Sequence, residues 1–278
     1  MKLSDINLRE KEFHDKLQSK EDGRFENILY KAIYNLGDDY YNYLQKNCKD
    51  KDVLDYGCGV GNTAKKISKC GPKKITGIDI SKISIEKAIK EAKLLNLNVE
   101  YKVDNCEETS LDSRSYDIVY GAGILHHLKL EKCIEEINRI LKKDGKLIIF
   151  ESYCSITFQL ATILMKHEGF DFTLNVWDEE NAKSDEHNAW HGNIAVPHLI
   201  FDDKKRFKEN LDKYFKIDYE KFTECLIFLN SGGVTSKTKY IPMNRFFLNI
   251  LHFIDLILIK LLPSVFCMGR RIVLTKPN

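Results

Sequence analysis

The chain has 278 residues, with 43 lysine and arginine residues against 41 acidic residues and a formal net charge of +2. This length is enough to bury a substantial core, and it requires no second domain. The near balance of charge leaves no concentrated basic tract of the kind that nucleic-acid-binding proteins carry, so no nucleic-acid partner is predicted.

The eight cysteines never occur as Cys-x-x-Cys and never lie at zinc spacing from a histidine. We therefore predict reduced, mostly buried thiols, no metal site and a cytoplasmic protein. The first residues are charged and contain no apolar run of signal-peptide length, so no export is predicted.

Residues 1–47 are predicted to form two or three helices, of which the clearest covers residues 25–36 because apolar side chains recur there at helical spacing. This segment is expected to act as an N-terminal helical cap. Within it, Phe13, His14 and Asp15 are candidates either for lining a pocket or for packing and capping alone.

The stretch VLDYGCGVGNTA, residues 53–64, joins a short buried strand to a helix through three alternating glycines. Such glycines allow a tight turn and a close approach of the backbone to a ligand. A dinucleotide fingerprint favours Gly or Ala where Asn62 stands, and a phosphate-binding loop would end in Gly-Lys-Ser/Thr. Asp55, two positions before the first glycine, favours a cationic ligand over a pyrophosphate.

The next two strands also end in acidic residues. The second strand, residues 75–80, carries Asp79 at its carboxyl end, 18 residues after Gly61. At about this spacing a carboxylate can accept hydrogen bonds from a ribose, which suits either NAD or an adenosyl ligand. The third strand, NVEYKV, leads into Asp104, Asn105 and Cys106.

A histidine pair follows the fourth strand, residues 117–121, and a fifth strand is predicted over residues 146–151. His126 and His127 should therefore lie at the carboxyl edge of the sheet, where open α/β folds bind their ligands. His126 is the first candidate for a general base, which a reaction requires only when the attacking group is protonated at neutral pH.

Residues 153–216 depart from this alternating pattern and are predicted to form an insertion that covers the substrate. Long loops of this kind are functional or disordered, and the content of aromatic residues and histidines favours function. His191, beside Trp190, is a second catalytic or acceptor-contacting candidate, with His187 and His198 nearby. Residues 217–278 should supply strands six and seven.

Residues 245–262 form the most apolar stretch, yet a membrane-spanning helix would place Asp255 and Lys260 in hydrocarbon. Its polar side chains fall within an arc of roughly 140 degrees, which predicts an amphipathic helix with a broad apolar face. That face is expected to dock on the sheet, to form a homodimer interface, or to lie on a membrane surface near a lipid-linked substrate.

The four ordered motifs VLDYGCGVGNT, ITGIDIS, VDNCEETSLDSRSYDIVYGAGILHHL and EINRILKKDGKLIIFES resemble the class I S-adenosylmethionine-dependent methyltransferases. The resemblance covers roughly residues 48–152. It implies a doubly wound, seven-stranded, mostly parallel Rossmann-like sheet, with the cap over the cofactor.

The resemblance also implies the roles of the cofactor site. Asp55 would approach the methionine ammonium, Asp79 would hold the ribose hydroxyls, and Asp104 would face the adenine amino group. His126 would point to the acceptor and His127 would pack inward. The full predicted S-adenosylmethionine site is Asp55, Tyr56, Gly57, Gly59, Gly61, Asp79, Ile80, Asp104, Asn105, Cys106 and Gly121.

The function expected from the sequence is methyl transfer to a small-molecule or lipid/glycan-precursor acceptor. Gly121-Ala122-Gly123-Ile124 stands where amino-group DNA methyltransferases carry Asn/Asp-Pro-Pro-Tyr, which is evidence against base methylation. Two alternatives are an NAD-dependent oxidoreductase, disfavoured by Asn62, and an inactive scaffold or partner subunit that keeps the cofactor fold.

Overall fold

The computed structural model describes residues 3–19, 36–165, 169–177, 193–227 and 243–277, so most of the helix predicted over residues 25–36 lies outside the described residues. Seven strands form one sheet in the order β3-β2-β1-β4-β5-β7-β6. The strands are β1 Asp52–Tyr56, β2 Lys74–Asp79, β3 Glu100–Val103, β4 Tyr116–Ala122, β5 Leu141–Ser152, β6 Lys216–Thr223 and β7 Gly269–Thr275. The first five are parallel, and β7 is antiparallel to both neighbours. This confirms the predicted fold class.

Helices cover both faces of the sheet. They are α1 Asp5–Ser19, α2 Leu36–Asn47, α3 Asn62–Ile67, α4 Lys82–Leu94, α5 Leu130–Ile140, α6 Ile156–Met165, α7 Val196–Phe201, α8 Lys204–Asn210, α9 Arg245–Leu261 and α10 Pro263–Phe266. Short 3₁₀ turns cover Ser68–Cys70 and Leu125–His127. Successive residues of β1 belong to different hydrophobic clusters, on opposite faces of the sheet. Leu54 packs with residues of α5, whereas Val53 packs with Leu44 of α2 and Ala64 of α3. This alternation is what a strand buried on both faces requires.

Strand β5 begins at Leu141, five residues before the predicted start, and helix α5 ends at Ile140. Leu141 is buried and pairs with Tyr116 of β4, and the register shifts before Ile118 pairs with Lys146. The irregular segment between them contains Asp144 with φ 57°. Sequence periodicity does not report such a register shift.

Helix α9 does not bury its broad apolar face on the sheet, which was one of the three predicted positions. Its buried residues are Leu248, Asp255 and Ile259. Asp255 is only 1% exposed. Its buried carboxylate is compensated by hydrogen bonds from the backbone N–H groups of Leu226 at 2.7 Å and Ile227 at 3.0 Å. No helix in the described part of the chain is both long enough and apolar enough to cross a bilayer.

Candidate active site

The loop after β1 is held in place by backbone hydrogen bonds and by the end of β2. The Cys58 N–H donates to the Ile78 carbonyl at 2.8 Å, and the Gly59 N–H donates to Asp79 Oδ2 at 2.8 Å. Gly57 has φ +73°, and a Cβ there would lie 2.7 Å from Ile124 Cδ1. Gly61 has φ +82°, and a Cβ there would overlap the Tyr101 hydroxyl. Both positions therefore require glycine.

Asp55, at the end of β1, presents an uncompensated carboxyl oxygen inside this loop. The residue is 3% exposed, and within the described part of the chain its Oδ2 accepts no hydrogen bond. Burial and the nearby Asp79 raise the pKa of Asp55 to about 7, against a hydrogen bond from Thr63 that lowers it. A buried acceptor of this kind suits a bound cation, which would restore the charged form.

Asp79 ends β2 and connects the glycine loop to helix α4. Its Oδ2 accepts from Gly59, and its Oδ1 accepts from the Ser81 N–H at 2.8 Å. Ser81 in turn caps α4 by accepting from the Ser84 N–H at 3.1 Å. Burial raises the pKa of Asp79, although His14 and the two N–H donors lower it. Ile80 lies between Asp79 and this cap.

The loop after β3 is organised by its own side chains. Asp104 Oδ1 accepts from the Asn105 N–H at 2.9 Å, and Oδ2 accepts from the Ser110 N–H at 2.9 Å and its hydroxyl at 2.8 Å. Oδ1 keeps acceptor capacity beyond this one bond, so the predicted contact with an adenine amino group stays a prediction. The Tyr56 hydroxyl donates to the Cys106 carbonyl, which links the ends of β1 and β3.

Gly121, in β4, allows Ile124 to approach the end of β1. A Cβ at Gly121 would lie 2.9 Å from Ile124 Cγ2 and 3.5 Å from the Tyr56 carbonyl oxygen. The Ile124 side chain therefore occupies the space that a Cβ would need at both Gly57 and Gly121. The predicted cofactor residues on β1, β2, β3 and β4 thus lie along one edge of the sheet, because the carboxyl ends of these parallel strands coincide.

Helix α1 lies across this edge and contacts it at several points. Asp15 Oδ1 accepts from the Ser81 hydroxyl at 2.5 Å, and Asn7 Oδ1 accepts from Asn105 Nδ2 at 3.4 Å. Near the C-terminal end of the helix, Lys87 Nζ donates to the Gln18 carbonyl at 2.5 Å. The N-terminal segment therefore covers the strand ends at which the predicted cofactor residues lie.

His126 and Glu151 form a buried pair beside the glycine loop. His126 Nδ1 lies 2.8 Å from Glu151 Oε2, and Glu151 Oε1 accepts from the N–H groups of Ile124 at 2.8 Å and Leu125 at 2.7 Å. The Glu151 side chain has no solvent exposure, and that of His126 is 8% exposed. A carboxylate at Nδ1 favours the tautomer that places the lone pair on Nε2. This arrangement suits a general base.

His127 faces helix α1 instead. Its Nδ1 lies 3.2 Å from Glu10 Oε2, and His14 Nε2 lies 3.8 Å from the same oxygen. Burial, followed by the neighbouring His126, lowers the pKa of His127 to about 3, so the ring is neutral near pH 7. Ligand atoms of Glu10, His14 and His127 all lie within 4.8 Å of one another, close enough to share a proton or a cation.

Sequence reasoning missed Glu151 and Glu10 as site residues. Glu151 could have been found, because it is an acid at the carboxyl end of the fifth strand, as Asp79 is for the second. Glu10 carries no such signal. His191, Trp190 and His187 lie outside the described residues. His198 is described: its Nδ1 lies 3.0 Å from Asp202 Oδ2, and its ring packs edge-on against Phe172 at 5.2 Å.

The donor set fits an adenosyl amino acid. A buried oxygen of Asp55 lacks a partner in the described structure, the glycine positions leave no room for a Cβ beside Ile124 and Tyr101, and Asp79 lies at the end of the next strand. An ammonium group suits the first feature, and a close-packed chain suits the second. Fold and site together define a class I S-adenosylmethionine-dependent methyltransferase fold.

Comparison with known proteins finds similarity over part of the chain. The methyltransferase domain family matches residues 53–145, so this segment is similar to a methyltransferase domain. An uncharacterised protein of Methanocaldococcus jannaschii is 31% identical over 140 residues, which are 50% of this chain and 49% of that protein. The ubiquinone biosynthesis O-methyltransferase of Pelagibacter ubique is 28% identical over 161 residues, 53% of this chain and 65% of the enzyme. The chain spans about half to two thirds of the length of these relatives.

Solved structures show the same fold over most of the chain. The geranyl diphosphate C-methyltransferase of Streptomyces coelicolor, in complex with Mg²⁺, geranyl diphosphate and S-adenosyl-L-homocysteine, has a TM-score of 0.60 at 10% identity and covers 99% of this chain and 100% of the enzyme. An S-adenosylmethionine-dependent methyltransferase of Methanosarcina mazei has a TM-score of 0.52 at 21% identity, covering 85% of this chain and 96% of that one. At these identities the likeness concerns the fold alone.

Proposed function

We propose that this protein transfers the methyl group of S-adenosylmethionine to a hydroxyl group of a small-molecule acceptor, a class that includes lipid and glycan precursors. The observation that carries the proposal is the position of the His126–Glu151 pair beside the glycine loop of a methyltransferase domain. A base is useful at this place only if the acceptor atom holds a proton at neutral pH, as a hydroxyl does.

The chain's own residues would hold the cofactor by its three chemical parts. Asp55 would accept from the ammonium group, and Asp79 would accept from the ribose hydroxyls while it fixes the Gly59 N–H. Asp104, with the backbone at Asn105 and Cys106, would flank the adenine. The first assignment is supported by the buried, unpaired oxygen of Asp55 in the described structure, and the second by Asp79's direct contact with the loop.

The bound cofactor supplies a methyl group on a sulfonium whose thioether leaves without charge. The protein therefore has to place the acceptor in line and remove its proton, and placement alone can be worth roughly 7 to 11 kcal/mol. His126 would take the proton at Nε2. Glu151 would act as a positioning residue, since its second oxygen is fixed by the N–H groups of Ile124 and Leu125.

The nature of the acceptor atom is supported by the relatives. Besides the Pelagibacter ubique enzyme, a ubiquinone biosynthesis O-methyltransferase of Coxiella burnetii is 32% identical over 137 residues, 49% of this chain and 56% of the enzyme. Those names describe methylation of oxygen by the relatives. An analogous acceptor for this chain, small or lipid-linked, is part of the proposal.

Calorimetric titration with S-adenosylmethionine and with NAD tests the cofactor, and transfer of a radiolabelled methyl group to fractionated cell extract tests the reaction. We expect binding of the first ligand only, and label in a small-molecule or lipid fraction. Binding of NAD instead would identify an oxidoreductase. Cofactor binding without methyl transfer to any fraction would indicate that the protein is a scaffold that retains the cofactor fold.

Cofactor affinity is expected to rise with pH between about 6 and 8. Burial holds the pKa of Asp55 at about 7 in the free protein, and the ammonium group requires the ionised form, so binding expels a proton. Below that pKa the affinity should change by up to about tenfold per pH unit. Calorimetry in two buffers of different ionisation enthalpy measures the released proton directly.

Asp55→Asn is the matched control for this pH dependence. The variant should bind the cofactor weakly and with little change across the same pH range. A wild-type affinity that stays flat from pH 6 to 8, with no proton released, would contradict the assignment of Asp55.

A further inference from the structure

A large apolar surface is exposed on two helices. Of the twenty large apolar side chains that are exposed in the described residues, thirteen lie on α6, on α9 or at Leu262. On α6 they are Ile156, Leu160, Ile163 and Leu164, and on α9 they are Phe246, Phe247, Ile250, Phe253, Ile254, Leu256, Ile257 and Leu261. We refer to these thirteen side chains as the apolar face. Patches of this size mark interaction sites.

The two helices rest on one buried cluster and are joined through helix α10. Phe158 and Ala161 of α6 are buried with Ile227 and Met268, and Leu251 of α9 and Phe266 of α10 pack against the same cluster. Helix α10 also contacts α6 directly. The polar anchor of α9, Asp255, is directed inward to backbone N–H groups, which leaves the aromatic side of the helix outward.

The apolar face lies at the same edge of the sheet as the His126–Glu151 pair. Helix α6 begins five residues after Glu151, at the carboxyl end of β5. Helix α10 leads into β7, whose first residue, Gly269, pairs with Ser152. Helices α6 and α10 are therefore attached at the sheet edge that carries the His126–Glu151 pair.

The charged residues that the described helices α6, α9 and α10 expose on this surface have one sign. Helices α6 and α10 contain no charged residue, and the exposed charges of α9 are Arg245 at its start and Lys260 at its end. If two copies met through α9 about a twofold axis, each cationic end would face a cationic end of the partner, whether the helices ran parallel or antiparallel. An anionic surface complements both ends at once.

We propose that the apolar face docks on the surface of an anionic phospholipid membrane, with the aromatic and aliphatic side chains in the headgroup region and Arg245 and Lys260 at the phosphates. A helix with a large apolar side and cationic flanks is suited to this position. At 17 residues, α9 is about 25 Å long, which is shorter than a bilayer core and fits a helix in the membrane plane. The delivery of a lipid-borne acceptor to His126 depends on the proposed function, whereas the docking itself does not.

Vesicle flotation tests the docking without cofactor or turnover, so its outcome is independent of the methyl-transfer proposal. The full chain is mixed with vesicles of phosphatidylcholine, or of phosphatidylcholine and phosphatidylserine in equal amounts. We expect the protein to float with the anionic vesicles and much less with the neutral ones. Phe253→Glu should lower the bound fraction at least about tenfold, because its ring, 63% exposed, would no longer enter the interface.

Leu94→Glu is the matched control, because Leu94 is 69% exposed on α4, outside the apolar face. It should float as the wild type does. A paired Arg245→Gln and Lys260→Gln variant keeps the apolar face intact and should weaken binding to anionic vesicles by about fivefold per charge. This paired variant also tests the docking if circular dichroism shows that Phe253→Glu does not fold.

Any of three results would overturn the docking. One is failure of the wild type to float with either vesicle while analytical ultracentrifugation shows a dimer that Phe253→Glu dissociates, which would make the apolar face a contact between copies of this chain. Another is a monomer that binds neither vesicle. Equal flotation of the wild type and Phe253→Glu would equally exclude the apolar face as the docking surface.

Discussion

Replacing Asp79 with alanine is expected to weaken S-adenosylmethionine binding by at least about a hundredfold, because hydrogen bonds to a charged group contribute about 1.5 to 3 kcal/mol each. The carboxylate is expected to accept from the ribose diol. It also accepts from the Gly59 and Ser81 N–H groups at 2.8 Å, so its loss releases the glycine loop and leaves two backbone donors without their partner. Isothermal titration calorimetry of the purified variant measures the effect.

Asp117→Ala is the control for Asp79→Ala. Asp117 is an acid of the same sheet that accepts from the Asp52 N–H and from Lys142 at the start of β4, the edge opposite to the site. The Asp117→Ala variant should bind the cofactor as the wild type does. Asp79→Asn keeps the side-chain volume and covers the case in which the alanine variant does not fold. A folded Asp79 variant with an affinity near that of the wild type would remove this residue from the cofactor site.

Replacing His126 with alanine should lower kcat by roughly 10² to 10⁴ while the cofactor affinity stays near that of the wild type, which is the range that general bases supply. The physical reason is the fixed orientation of the ring: Nδ1 lies 2.8 Å from Glu151 Oε2, and Glu151 cannot rotate freely because its other oxygen accepts two N–H groups. Steady-state kinetics with the identified acceptor, and calorimetry for the cofactor, separate the two effects.

Two further variants distinguish chemistry from packing. Glu151→Gln should lower kcat and alter its pH profile, because an amide favours a different tautomer of His126. His127→Ala removes a neighbouring ring that contacts α1 rather than the acceptor side, and should retain most of kcat. A folded His126→Ala variant that binds the cofactor and retains as much kcat as His127→Ala would remove His126 as the base.

The cofactor edge could be predicted from the sequence because it depends on local patterns. Asp55, Asp79 and Asp104 each follow a short apolar strand, and parallel strands with helical crossovers bring their carboxyl ends to one edge. The glycines were equally readable, since they stand where the backbone has positive φ. The seven-stranded, mostly parallel sheet followed from the family resemblance, and the structure confirms that fold class.

The contacts that complete the site could not be predicted in this way. Glu151 reaches His126 only because Ala122 pairs with Phe150, and that register depends on the irregular start of β5. Glu10 meets His127 across more than a hundred residues of sequence, and nothing in a helical pattern specifies such a partner.

Helix α9 shows a second limit of sequence patterns. An amphipathic pattern places every polar residue toward water, yet the best partners of Asp255 are two backbone N–H groups at Leu226 and Ile227. With the Asp255 carboxylate buried against these donors, the apolar side of the helix is exposed. The predicted roles of His191 and Trp190 stay predictions, because those residues lie outside the described part of the chain.

The most direct measurement is a crystal structure of the protein grown with S-adenosyl-L-homocysteine. Electron density for one ligand is expected along the carboxyl edge of β1, β2 and β3, with the amino group at Asp55, the ribose at Asp79 and the sulfur on the side of His126. A ligand bound elsewhere, or an edge in which α1 fills that space at saturating ligand, would contradict the assignment of this crevice as the methyl-donor site.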